Sequence, residues 1–348
     1  MLGAAADIAR LDPIEKDLMR AAGLRWLRCG TFGFDFGPFL RGESQDGAFA
    51  AIKRKVTELR AEGFHLMGIT PLPSALGSLA GAPGSNEYLN AYRRACAFLG
   101  GEYRGLIDWW QVANELDIWI FRDQLSLPQS VDFLKAGLLG LKEADASLKV
   151  GINITLFPSR PGEVDGNTDA HEGTFIAKAI YQDPSLELDY AGFDSYPGTW
   201  RKGGSESWHE YLDGFHQLTG KPIIIQEFGY SSAGAMMTPE EDASGAYPCH
   251  LKKWRFSWSG GHTPEIQAEF VSESLRIFAD KPYVIGATYY RWRDFGKCWQ
   301  CGDPGCPIET AWGLLDHDGQ PKPAYHSLKA GAAQYFPVLN STPLSTSS

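Results

Sequence analysis

Short apolar runs alternate with helical segments along nearly the whole chain. Leu24–Gly30 precedes a helix near Gly47–Glu62, and His65–Thr70 precedes one near Asn86–Leu99. The pattern repeats with Asp108–Glu115 and Gln129–Asp145, Lys149–Thr155 and Thr174–Gln182, and Asp189–Tyr196 and Glu206–Leu218. It ends with Pro222–Gly229 and Pro264–Asp280, then Val284–Trp292 and Ala324–Ala333. Strands separated by helices specify βαβ units and a parallel sheet. The unbroken apolar stretch Pro222–Ile225 fits a strand covered on both faces. An eight-fold ring requires one more strand, ahead of the helix read over Pro13–Ala22. It must lie within Met1–Ala6 (MLGAAA), a poor strand by composition. The expectation is therefore an α/β (β/α)8 TIM barrel over residues 1–336, its first strand weak or missing. An open doubly wound sheet would carry a glycine-rich phosphate turn, and no G-x-G-x-x-G occurs. The tail from residue 337, polar and low in complexity, reads as disordered. Glycosylation sequons occur there at Asn340 and inside a strand candidate at Asn153.

Composition narrows the function. With 43% hydrophobic and 21% charged residues among 348, the chain is globular rather than disordered. A net charge of −10 argues against a nucleic-acid partner, which would meet a basic face. No apolar run reaches membrane-spanning length, so no membrane partner is expected. The opening MLGAAADIARLDP lacks the basic start and apolar stretch of a signal peptide. Aromatic residues reach 13%, with 11 Trp, which suits a cleft that stacks flat ligands.

Two carboxylates stand out by position. Glu115 closes one apolar run, just after Asn114, and Glu227 closes another within IIIQEFG. In a parallel barrel the carboxyl ends of the strands share one face, where active sites form. Glu115 and Glu227 can therefore meet across its mouth. Glycoside hydrolysis needs such a pair: one acid protonates the leaving oxygen, and the other attacks the anomeric carbon or activates water. A solvated loop acid or a structural ion pair is the alternative for either one.

The segments WWQVANELD, FDSYPGTW, KPIIIQEFGY and YYRW, in this order, resemble the large clan of retaining glycoside hydrolases with (β/α)8 barrels. That clan carries Asn-Glu at the end of strand four and Glu at the end of strand seven. The resemblance covers nearly the whole chain and implies a general acid/base at Glu115 and a nucleophile at Glu227. It implies that Asn114 bonds the sugar 2-hydroxyl, that Tyr196 steadies the nucleophile and that Trp292 floors the sugar subsite. Arg28 matches the arginine that holds the nucleophile ionised. It implies hydrolysis of a β-linked oligo- or polysaccharide by double displacement, with no cofactor. Two departures keep the resemblance at the level of the clan. Asp194 stands where several members have histidine, and the third strand ends Ile69–Thr70 where some have one. Transglycosylation on the same residues, a non-catalytic carbohydrate-binding barrel and a metal-dependent hydrolase built around cysteines remain open alternatives.

Trp109, Trp110, Trp200, Trp299 and Phe36 are further candidates for sugar platforms, although adjacent Trp109 and Trp110 must point to opposite sides of a strand. Cys29 and Cys96 read as buried thiols. Cys298-Trp-Gln-Cys301 and Cys306 follow strand eight, and Cys249 lies in the long loop after strand seven. These four suit two disulfides first, then free thiols, or a structural zinc held by four thiolates or by three thiolates and one imidazole. Disulfides would place the chain in an oxidising compartment, favouring secretion. The histidines form no H-E-x-x-H pattern, so no catalytic metal is expected. The long loop over 230–263, rich in aromatics, is expected to wall one end of the cleft.

Overall fold

The computed structural model describes residues 1–30, 32–159 and 171–337. Its strands are β1 (Leu2–Ala5), β2 (Trp26–Cys29), β3 (His65–Ile69) and β4 (Trp109–Gln111). They continue with β5 (Lys149–Gly151, resuming as Asn153–Ile154), β6 (Ala191–Ser195), β7 (Ile223–Phe228) and β8 (Val284–Tyr289). All pair in parallel, each with the next. The ring closes through β1, which registers Gly3 opposite Trp26 of β2 and Thr288 of β8. The expectation of a weak or missing first strand is thus corrected. MLGAAA lacks strand propensity, but it has a partner on both edges, and pairing and burial override propensity. The tail over 338–348, with the Asn340 sequon, lies outside the described residues.

The helices form where local chemistry starts them. Asp12 caps Pro13–Ala21 in a capping box with Glu15, and Ser126 does the same for Leu127–Ala144 with Gln129. Thr263 caps Pro264–Ala279, with proline in the first turn. Their apolar faces meet the outward residues of the strands, such as Leu27, Leu66, Trp110 and Ile225, in one large core. Alternate residues point into the barrel. Met67, Tyr190 and Ile224 pack there with Met1, Trp109 and Ile285. This inner plug leaves the carboxyl ends of the strands free to hold polar groups.

Candidate active site

The mouth of the barrel gathers its charges by breaking strand regularity. Along β7 Ile224 faces inward and Ile225 outward. Strict alternation would then send Gln226 and Glu227 to opposite faces. A bulge intervenes, since Ile225 pairs with Phe193 and Glu227 with Asp194, leaving Gln226 as the extra residue. Gln226 therefore points inward, its amide within 3.2 Å of Tyr190 Oη, and Glu227 points inward as well. Gly192 makes the room, because a Cβ there would lie 2.7 Å from the Gln226 amide carbon. At the end of β4, Ala113 and Glu115 both adopt positive φ, 54° and 48°. Such backbone persists where its surroundings over-determine it. Here Ala113 N donates to Thr70 Oγ1 (2.8 Å), Gln111 Nε2 to Ala113 O (2.7 Å) and Glu115 N to Asn153 Oδ1 (2.9 Å).

Glu227 is gripped at both oxygens. Arg28 Nη1 donates to one and the Tyr196 hydroxyl to the other. The same guanidinium donates through Nε to Gln111 Oε1 (2.8 Å) and through Nη2 to Asn114 Oδ1 (2.6 Å), with Asp194 3.9 Å away. Asn114 Oδ1 also accepts from Gln111 Nε2 and Asn153 Nδ2, each at 3.0 Å. Three donors occupy that oxygen, so the group Asn114 has left to offer the pocket is its NH2 donor. Glu115 accepts from Thr155 Oγ1 at 2.7 Å. Thr155 is itself set by Asp117, whose carboxylate accepts the N–H groups of Thr155 and Leu156 at 2.8 and 2.7 Å.

Glu115, Asp194 and Glu227 bring carboxylate oxygens within 4.8 Å of one another, all three buried. Burial first, then the charges of Glu227 and Asp194, pushes the Glu115 carboxyl well above the usual carboxylate range. Burial and then Glu227 do the same to Asp194. Burial, then Glu227, also raises the Tyr196 phenol, so it stays a donor. The two glutamates thus stand in unequal surroundings. Glu115 retains a proton, and Glu227 faces an arginine and a phenol that are both donors.

Above this floor opens a cavity of about 650 Å³, lined by Asn114, Glu115, Tyr196 and Glu227. Arg28 sits behind it, 4% exposed. Trp292 is not brought to the cavity. It is buried in the main core with its ring edge-on to Tyr325 at 6.2 Å. Tyr290, closer to the end of β8, lines the cavity instead, together with Trp312 and Phe295. Trp200 and Trp299 line it, whereas Trp109, Trp110 and Phe36 pack elsewhere in the core. The long loop after β7 contributes Tyr247 to the wall. Glu309 lines the cavity too; burial pushes its carboxyl up to about 8, and it accepts from Gln300 Nε2 at 2.6 Å. Asn153, Thr155, Asp194 and Glu309 were missed as site residues. The sequence signal for Asn153 and Thr155 is a polar residue inside an otherwise apolar run, and for Asp194 its standing where clan members have histidine.

The four loop cysteines lie together beside the cavity wall. Cys249 Sγ lies 3.5 Å from Cys298 Sγ and 3.6 Å from Cys306 Sγ, far beyond the roughly 2.05 Å of a disulfide. With Cys301, the four sulfurs all lie within 4.8 Å of one another. Cys29 and Cys96 are buried thiols, as expected.

No family profile matches the chain, and no curated protein resembles it in sequence. Solved structures do resemble it in fold. The native xylanase 10B from Thermotoga maritima superposes with a TM-score of 0.67 at 18% identity, covering 96% of this chain and 94% of that one. A family 39 glycoside hydrolase from Bacteroides cellulosilyticus WH2 superposes with a TM-score of 0.62 at 14% identity, over 95% of this chain and 63% of that one. A β-glucuronidase from Bacteroides uniformis gives 0.58 at 17% identity, over 92% of this chain and 32% of that one. The chain thus spans less than two thirds of those two Bacteroides enzymes. These neighbours are glycoside hydrolases, and the barrel is the fold this chain shares with them.

Proposed function

We propose that the chain is a retaining glycoside hydrolase acting on β-linked oligo- or polysaccharides. The observation that carries this reading is the unequal treatment of two facing glutamates. Glu227 is held by Arg28 and Tyr196, and Glu115 is buried and proton-retaining within 4.8 Å of it. That separation suits the roughly 5–5.5 Å of retaining pairs better than the roughly 6.5–9.5 Å needed to admit a water between the two. Glu227 attacks the anomeric carbon while Glu115 gives its proton to the departing oxygen. The bond to the leaving sugar breaks as the glycosyl–Glu227 ester forms. Glu115, now ionised, takes a proton from water. That water displaces Glu227, and both groups return to their starting states.

Asn114, with its NH2 facing the pocket, is placed to donate to the sugar hydroxyl next to the reacting carbon. The aromatic walls match the apolar C–H faces of sugars. Trp119 and Trp299, 44% and 45% exposed, stand at the rim on the loops after β4 and β8, as platforms for further sugar units. The xylanase, glucosidase and β-glucuronidase activities of the fold neighbours support the substrate class. The test is mass-spectrometric detection of sugar released from a panel of β-linked glycans and aryl glycosides, by wild type and by Glu227→Gln. Release by wild type alone is expected. Equal release by both proteins, or none from a folded wild type across the panel, overturns the reading.

A further inference from the structure

We propose that Cys249, Cys298, Cys301 and Cys306 bind one zinc ion as a four-thiolate site, and that this ion staples the loops that wall the cavity. All four Sγ atoms lie within 4.8 Å of one another. Two of the separations, 3.5 and 3.6 Å from Cys249 to Cys298 and to Cys306, approach the edge of a tetrahedron with Zn–S bonds of about 2.3 Å, which is roughly 3.8 Å. Four sulfurs at this spacing around one centre are the geometry of a structural zinc or a mononuclear iron site. A cluster of neutral thiols, three of them buried, gains little from such convergence. Binding releases four thiol protons and leaves a site of charge 2−.

The local chain is built for it. Cys298 and Cys301 are separated by two residues, a spacing that recurs in zinc knuckles. Gly302 follows at φ +77°, and its N–H closes the turn onto Cys298 O at 2.8 Å. Lys252, three residues after Cys249, pairs with Asp303 and supplies a cation beside the thiols. Asp303 accepts Gly305 N at 2.7 Å, and its backbone oxygen accepts Cys298 N at 3.0 Å. The four-residue ligand set thus ties the loop after β7 to the loop after β8.

The same residues explain why the ion matters for the cavity. Trp299 and Gln300 lie between two ligands, and both line it. Tyr247 precedes Cys249 by two positions, and Glu309 follows Cys306 by three; both line it too. Cys249, Cys298 and Cys306 pack in one small core with Tyr196 and Trp312, against the partner of Glu227. No cysteine faces the cavity, so the ion shapes the site and takes no part in bond cleavage.

Elemental analysis of the purified, reduced full-length chain tests this without any substrate, so its outcome is independent of the glycosidase reading. One zinc per chain is expected, retained through gel filtration and released stoichiometrically by a mercurial thiol reagent. Cobalt replacement should give thiolate-to-metal charge-transfer bands. Cys301→Ser, at the exposed ligand, should weaken zinc binding by at least about 100-fold, beyond what changes around a ligand cost. If it does not fold, the wild-type stoichiometry still decides. Two disulfides by intact mass in the unreduced protein, iron in place of zinc, or no zinc uptake by the reduced protein overturns the proposal.

Discussion

At the scale of single residues the site is an arrangement of proton donors around two glutamates. Glu227→Gln keeps the shape and removes the nucleophile. It should lower kcat by at least about 10³-fold with an unchanged far-UV spectrum. Glu115→Ala should slow glycosides with poor leaving groups by about 10²–10⁴-fold, and activated aryl glycosides much less in the bond-breaking step. Equal losses on both substrate types would remove Glu115 from the acid role. Asp194 permits a finer test. Its charge is one cause of the raised Glu115 pKa, after burial and Glu227. A general acid works only while protonated, so kcat/KM should fall as pH rises through the Glu115 pKa. Asp194→Asn should move that alkaline limb to lower pH. An unmoved limb would show that Asp194 does not act on Glu115. Most of this site was legible, because Asn114, Glu115, Tyr196 and Glu227 each sit at or just past the end of an apolar run. Trp292 misled for a physical reason. β8 ends at Tyr289, and beyond a strand end the two-residue period no longer sets direction, so Tyr290 takes the cavity and Trp292 turns back to the core.

At the scale of elements the alternation in the sequence placed seven strands and the helices between them close to where they stand. What it could not show was irregularity. The bulge at Gln226 aims Glu227, and it leaves no mark in IIIQEF, a run that reads as a plain buried strand. The interruption of β5 at Ile152 is silent in the same way. The loop after β8 hides a different feature, a buried acid. Burial pushes Glu309 up to about 8, while in the unfolded chain a glutamate ionises near 4.3. Below that lower value both states are protonated and Glu309 costs nothing. As pH rises from about 4 to about 8 the unfolded chain sheds its proton first, and stability is lost across that window. Glu309→Gln keeps an acceptor for Gln300 and does not titrate. Its Tm relative to wild type should rise with pH across this window, by on the order of a few degrees. A difference that stays flat from pH 4 to 8 would mean that Glu309 is ionised in the fold.

At the scale of the whole molecule, everything at the mouth depends on the ring being closed, and closure rests on the strand that was hardest to read. β1 lies between β2 and β8, and its composition is poor for a strand because its place is crowded. Gly3 sits opposite Trp26, whose ring stacks on His65 at 4.9 Å and meets Trp109 edge-on at 6.3 Å in the inner plug. A Cβ on Gly3 would lie 2.7 Å from Trp26 Cβ, and closer still to the Trp26 carbonyl oxygen. Small residues let the ring close there, and those same residues erase the strand signal. Gly3→Val, which raises strand propensity, should therefore destabilise the barrel. It forces backbone as well as side chain to move, so about 3 kcal/mol or more is expected, at the upper end of overpacking costs. Arg28 stands two residues beyond Trp26 on β2, so the displacement should also loosen its grip on Glu227 and lower kcat. Denaturant unfolding followed alongside turnover would separate the two effects. An unchanged or raised midpoint would show that β1 is held by strand propensity and not by fit.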